Sequence, residues 1–188
     1  GAEATADRIR QAGGRAALVQ ADLAIEAQVQ PLVDTAVAAL DQPLSLLINN
    51  ASAFSYDSME TNDRDSWDAH IEPNLRAPVV LSQAMAAQCP ATGGCIINLI
   101  DQRVWNLTEH FLSYTVPKSA LWGLTRQMAL GLAARKIRVN GIGPGPTLPS
   151  PRQTQATCVG PARATPLQSA PPPAHICAAT DRVLTAHS

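Results

Sequence analysis

Apolar positions along this chain switch repeatedly between a spacing near 3.6 residues and short continuous runs, the pattern of helices alternating with buried strands. Residues 2–12 carry the helical spacing and run into Gly13-Gly14, a common way to end a helix. Residues 16–20 are a short apolar stretch that reads as a strand. Residues 26–40 return to helical spacing. Residues 44–49 contain the run Leu46-Leu47-Ile48 and predict a buried strand. Residues 64–88 predict a helix that breaks or bends near Pro73 and Pro78, because proline supplies no N–H to the ladder. Residues 95–100 predict a second buried strand and residues 112–134 a long helix. Residues 137–142 predict another strand, closing on Gly143-Pro144-Gly145-Pro146. Strands and helices alternating on this scale predict a parallel sheet covered by helices on both faces.

The texture changes after residue 148. Seven of the 15 prolines fall in residues 149–188, including Pro171-Pro172-Pro173, and neither period persists there. The sequence therefore predicts an α/β domain over 1–148 and a proline-rich, loop-like or disordered tail over 149–188.

Composition narrows the function classes. A net charge of −1 and 4% aromatic residues argue against a nucleic-acid surface, which needs a basic footprint and stacking platforms. No apolar run approaches the ~20 residues of a membrane span. The polar start, Gly1-Ala2-Glu3-Ala4, does not read as a signal peptide. Cys89, Cys95, Cys158 and Cys177 form no C-x-x-C pair, and the four histidines are scattered. That pattern predicts reduced cysteines, a cytoplasmic setting and no metal site.

The candidate chemistry lies where strands end, since open α/β sheets bind ligands at the carboxyl ends of their strands. Asn49-Asn50-Ala51-Ser52-Ala53-Phe54 follows one strand, Asp101 follows the next, and Gly143-Pro144-Gly145 follows the last. The helix after Asp101 contains Tyr114 and Lys118, four apart and so on one face. An ammonium beside a phenol favours phenolate, and a tyrosine so tuned can exchange protons near neutral pH. Read alone, Asp101 reads first as a cap after a strand, and Phe54 first as core packing. Trp67, Trp105 and Trp122 read as packing or surface aromatics. Arg76 and Arg103 read as solvated or capping charges, and Glu60, Asp63 and Asp65 as a polar loop leading into a helix.

Taken in order, these elements resemble the short-chain dehydrogenase/reductases. The resemblance rests on Asp22-Leu23, Asn49-Asn50-Ala51, Asn74 within Pro73-Asn74-Leu75-Arg76-Ala77-Pro78, Tyr114-x-x-x-Lys118 and Arg138-Val139-Asn140-Gly141-Ile142-Gly143-Pro144-Gly145. Asp101, thirteen residues before the tyrosine, stands where most of the family has serine. Together with Asn50-Ala51-Ser52-Ala53-Phe54 it is similar to the pteridine reductase branch.

The resemblance implies a Rossmann-like doubly wound parallel sheet and NADPH-dependent reduction of a pterin: biopterin, dihydrobiopterin or dihydrofolate. It implies that Tyr114 passes a proton, that Lys118 lowers its pKa and holds the nicotinamide ribose, and that Asp101 helps protonate a ring nitrogen. Phe54 would stack on the pterin, and Ser52 would bond pterin or cofactor phosphate. Asn74 would hold a relay water. Asp22 and Leu23 would receive the adenine, and Asn50, Ala51, Pro144 and Gly145 would line the cofactor. A homo-oligomer, a tetramer in the family, is implied as well. Two alternatives stay open: another carbonyl or alcohol substrate, or a non-catalytic, oligomer-forming module.

The chain also departs from the family pattern. The family opens on a strand and a Thr-Gly-x-x-x-Gly-x-Gly turn that cradles pyrophosphate, and this sequence has neither. The first helix here resembles the family's second, so the expectation is a sheet lacking the first two strands. In the family order 3-2-1-4-5-6-7 that leaves a gap of about 14 Å, three spacings of ~4.8 Å, beside the 44–49 strand. The expectation is that the sheet reorders or that residues 16–20 keep unpaired edges. Residues 153–188 do not match the family's ending.

Overall fold

The structure, a computed structural model, describes residues 1–145. The predicted proline-rich tail and Pro146 lie outside the described residues. In chain order the elements are α1 (Ala2–Gln11), α2 (Glu26–Val29), α3 (Leu32–Leu40), β1 (Leu46–Asn49), α4 (Arg64–Ile71), α5 (Ala77–Gln88), β2 (Gly94–Leu99), α6 (Leu112–Leu132) and β3 (Ile137–Ile142). The architecture is a Rossmann-like parallel sheet with helices on both sides. The strands run in the order β1-β2-β3, with Leu46 opposite Cys95 and Cys95 opposite Arg138. Parallel neighbours need crossovers, and α4–α5 and α6 supply them.

The core sits between the sheet and two of these crossover helices. Met85 and Ala86 of α5, Ile96 of β2 and Ile137 and Val139 of β3 form one buried cluster, with Met128 and Leu132 of α6 against it. A second cluster joins Val29 of α2 to Ala77 and Val80 of α5. Each Val, Ile, Leu or Met side chain so removed from water contributes roughly 1.5–3 kcal/mol.

Four expectations change here. Residues 16–20 form no strand: among the described residues no strand lies beside them to complete a ladder, and Leu18 and Val19 stay exposed. The 44–49 strand is shorter and is an edge rather than a buried strand, with Leu46 and Ile48 at 38% and 43% exposure. The 26–40 helix is two helices, because Pro31 cannot donate within a continuous ladder and instead opens α3. The 64–88 segment does not break at Pro73. It passes through one π-helical stretch, Glu72–Arg76, and continues as α5 with Pro78 in its first turn. A wider turn leaves room for a residue that cannot make the ordinary i→i−4 bond.

Local signals explain the helix ends. Asp63 caps α4 by accepting from the Ser66 N–H at 2.8 Å, and Ser66 Oγ accepts from the Asp63 N–H at 3.1 Å, a reciprocal box. Gly13, with φ of 81°, closes α1 in a conformation that costs glycine little. Arg76 is exposed, as a solvated charge would be, and its guanidinium also forks onto Glu26 with two 2.7 Å bonds, joining α2 to the start of α5.

Candidate active site

The carboxyl ends of β1, β2 and β3 lie side by side because the strands are parallel and in register. Beyond them, the Ile100 N–H donates to Ile142 O and the Gln102 N–H to Pro144 O. Those two bonds carry Pro144 and Gly145 alongside Asp101. Beneath the strand ends runs a buried polar chain. Asn49 Nδ2 donates to Asn98 Oδ1 at 2.8 Å, Asn98 Nδ2 to Thr125 Oγ1 at 2.9 Å, and Thr125 Oγ1 to Leu121 O at 2.7 Å. It fixes α6 against β1 and β2, since an unpaired partner in such a chain would cost about 1–3 kcal/mol.

Tyr114 and Lys118 therefore reach the site from the first turns of α6, at 6% and 3% exposure. The Tyr114 hydroxyl donates to Asp101 Oδ2 at 2.8 Å. Lys118 Nζ donates to the carbonyl of Leu99, the last residue of β2, at 2.7 Å, and lies 5.8 Å from the Tyr114 ring centre. Pro117, between them, is buried and leaves one carbonyl of the helix without its usual donor. Asp101 is the cap read for it and also stands beside Tyr114. Its Oδ1 accepts from the Arg103 N–H at 2.8 Å, capping a short turn (Gln102–Val104), and its Oδ2 faces Tyr114.

The electrostatics correct one expectation. The Tyr114 phenol is pushed up, not down. Burial is the largest cause, and the charge and hydrogen bond of Asp101 add to it. Burial likewise drives the Lys118 ammonium down to about 8, opposed by Asp101. Burial and the carboxylate 2.8 Å from the hydroxyl set the direction of the phenol's shift.

Seven of the candidate residues, Asn50, Ser52, Asp101, Tyr114, Lys118, Pro144 and Gly145, line a single cavity of about 260 Å³, with Leu99 and Ile100. Ala51 sits between Asn50 and Ser52 without lining it. Asn74, fully buried in the π stretch, clamps the Ser52–Ala53 turn. Its Oδ1 accepts from Ser52 Oγ at 2.9 Å and from the Ala53 N–H at 3.0 Å, and its Nδ2 donates to Ala53 O at 2.9 Å. All the polar atoms of its side chain are thus engaged in shaping the loop. Phe54 lies flat against Phe111, ring centres 4.7 Å apart at 11°, and meets Tyr114 edge-on at 4.7 Å and 79°. Asp22 and Leu23 are not gathered into this cavity. Asp22 is exposed and closes its own turn by accepting from the Ala24 N–H, while Leu23 packs on the α2–α5 cluster.

Several residues here were not singled out by sequence. His70, at 1% exposure, accepts from the Ser55 N–H at Nε2, 3.0 Å. A backbone N–H can only donate, so Nδ1 carries the ring proton and gives it to Ser66 O at 2.7 Å, with Ser113 Oγ at 2.9 Å. Buried Asp57 accepts from the Ser113 N–H at 3.2 Å and from Asn62 Nδ2 at 2.9 Å. Burial pushes its carboxyl up, yet those hydrogen bonds hold it below the ordinary range. Together they lock the Phe54 loop to the start of α6, one residue before Tyr114. The available signal was spacing: His70 and Asn74 are four apart and share the helix face toward that loop.

With this geometry in view, the comparisons are informative. The sequence model of the family described as short chain dehydrogenase matches residues 1–157. The 7alpha-hydroxysteroid dehydrogenase of Escherichia coli (strain K12) is 32% identical over 143 residues, 76% of this chain and 55% of that protein. The chain spans about half the length of the curated relatives it matches, 58% and 56% for two uncharacterized oxidoreductases. Among solved structures, FolM alternative dihydrofolate reductase 1 from Brucella canis, complexed with NADP, superposes with a TM-score of 0.83 at 46% identity, covering 90% of this chain and 67% of that one. A blue fluorescent protein from a metagenomic library, in complex with NADPH, gives a TM-score of 0.89 at 30% identity, over 97% and 74%.

Proposed function

The chain belongs to the short-chain dehydrogenase family, and we propose that within it the chain carries the proton-handling centre of an NADPH-dependent pterin reductase. The Tyr114–Asp101 hydrogen bond, 2.8 Å, is the observation that carries this reading. A reductase must hold its proton donor protonated until the substrate's double bond accepts it. Burial and Asp101 keep Tyr114 in that form well above neutral pH. A carboxyl group at that position also suits a basic ring nitrogen, which needs a proton delivered in the plane of the ring. The match to a dihydrofolate reductase structure at 46% identity supports the same substrate class.

The residues present fit one half of the cofactor. Lys118, Tyr114, Asn50, Pro144 and Gly145 line the same cavity, and there the Lys118 ammonium would donate to ribose hydroxyls. The sequence holds no glycine-rich turn for the pyrophosphate. NADPH, when bound, would supply the hydride (two electrons and one hydrogen) for the substrate's C=N bond. Tyr114 gives its proton to the partner atom, and Asp101 and Lys118 restore it from solvent. Phe54 and Asn74 shape the wall against which a flat ring rests.

Two further readings have support of their own. The 7alpha-hydroxysteroid dehydrogenase match favours a carbonyl or alcohol substrate. A groove of about 730 Å³ between the outer faces of α5 and α6 favours a second copy of the chain; Val79, Leu124 and Leu130 line it, and Leu130 is 81% exposed. The deciding experiment is NADPH oxidation by the complete gene product with dihydrobiopterin, dihydrofolate and a hydroxysteroid ketone. Turnover with a pterin supports the reading. Turnover with the ketone alone, or none at all, overturns it.

A further inference from the structure

One cation beside the site has no place in that account. Arg103 stands two residues past Asp101, and its guanidinium carbon lies 4.5 Å from the centre of the Phe111 ring. Its Nη1 donates to Thr108 Oγ1 at 3.1 Å. Among the described residues it forms no ion pair with a carboxylate. A guanidinium lying on a ring keeps its edge N–H groups free to fork onto a carboxylate.

The ring beneath it is held at a cost. Phe111 has φ of 62°, the left-handed region, where a bulky side chain is disfavoured by about 1–2 kcal/mol. Its N–H donates to Asp57 O at 2.7 Å, which fixes it there. The strain is localised beside the active site and delivers the ring onto Phe54, 4.7 Å away, whose edge contact with Tyr114 is also 4.7 Å. Arg103, Phe111, Phe54 and Tyr114 thus form one row, with the proton donor at one end and, at the other, a cation that has no carboxylate partner among the described residues. The row is electrically polar: Asp101 repels an anion from the Tyr114 end, and Arg103 attracts one to the far end.

Resting on the pterin reading above, we propose that Arg103 anchors an anionic tail on the substrate, a carboxylate carried beyond an aromatic linker. The stacked Phe54 and Phe111 rings present their edges along the path of the linker. A dihydrofolate-type pterin, with an aminobenzoyl group followed by glutamate, spans this row. A pterin with a short neutral side chain reaches only Phe54. The site therefore selects tailed pterins through Arg103, not through the reacting ring.

The test is steady-state kinetics of the complete gene product with dihydrofolate and with dihydrobiopterin, comparing the parent with Arg103→Gln and Arg103→Lys. The ratio of kcat/KM for dihydrofolate to that for dihydrobiopterin falls about tenfold in Arg103→Gln, as expected for losing one charge-assisted fork. The change lies in KM for dihydrofolate, and Arg103→Lys restores part of it. Added salt raises that KM in the parent and not in Arg103→Gln. Because Arg103 also favours the ionised form of Tyr114, any effect on proton transfer touches both substrates and cancels in the ratio. A ratio unchanged within about twofold overturns the proposal while leaving the pterin reading intact. A parent with no turnover on either pterin removes both.

Discussion

At the carboxyl ends of the strands the buried polar side chains around Tyr114 are hydrogen-bonded, whereas residues 14–25 and the outer edge of β1 lie open. The first region is closed by the Asn49–Asn98–Thr125 chain, the Asn74 clamp and the His70–Ser113–Asp57 lock. The second carries apolar side chains of the same kind, Leu18, Val19, Ile25 and Ile48, at 41–50% exposure. The difference teaches that apolar pattern proposes an element and hydrogen-bond partners decide it. It also divides the proposed chemistry. The residues that handle a proton are fixed by buried bonds, while Asp22 and Leu23, read for the adenine, belong to the open side.

The widest test of that division removes the proton itself. Tyr114→Phe in the complete gene product is expected to cut NADPH-dependent turnover about 10³-fold, while thermal unfolding shifts little because the ring still packs on Phe54. Retained turnover would move the proton donor elsewhere. Next, one chemical change placed in each region measures the contrast directly. In urea unfolding, Ile97→Thr costs about 3 kcal/mol, since Ile97 is wholly buried, and Ile48→Thr at 43% exposure costs less than about 0.5 kcal/mol. Equal costs would erase the distinction between core and open edge.

Asn74→Ala is expected to cost about 2 kcal/mol by leaving the Ser52 and Ala53 groups unpaired, and to raise the exchange rate of the Ala53 amide. Unchanged protection would show that the loop holds without its clamp.

The smallest expected effect is a pH slope. Lys118 binds its proton less tightly folded, about 8, than unfolded, near 10.5. Between those values the unfolded chain carries more protons, so stability rises with pH by about 1–2 kcal/mol. Above pH 10 unfolded tyrosine releases a proton that Tyr114 keeps, and the trend reverses. Cys89, whose thiol burial pushes up, opposes the rise but contributes equally to parent and variant. The parent-minus-Lys118→Met difference, followed by urea unfolding from pH 8 to 10, isolates the lysine, and a flat difference would contradict its burial.

Much of this was readable from sequence. The order of elements, the parallel sheet and the meeting of Asp101, Tyr114 and Lys118 follow from periodicity, strand ends and spacing. What was not readable depends on neighbours. Residues 16–20 have a strand's composition, yet a strand needs a second backbone. The direction of the Tyr114 shift depends on how deeply it is buried and on the carboxylate beside it, and spacing along a helix encodes neither. The left-handed Phe111 leaves no mark in composition, so Arg103 read as a solvated or capping charge. His70 was legible in principle through Asn74, four residues on.

The π stretch at Glu72–Arg76 acts as a phase shifter. A π turn holds one residue more than an α turn, and one residue is about 100° of rotation. Ahead of it, His70 faces the Phe54 loop; beyond it, Val80 and Met85 face the two apolar clusters. One rod thereby serves two surfaces that a uniform helix would place on different sides. Deleting a single residue from 72–76 would straighten the rod and turn α5 by about that angle, carrying Met85 and Ala86 off the sheet. In that stretch chain length matters more than side-chain identity, and a one-residue gap would do more harm than a substitution anywhere in α5.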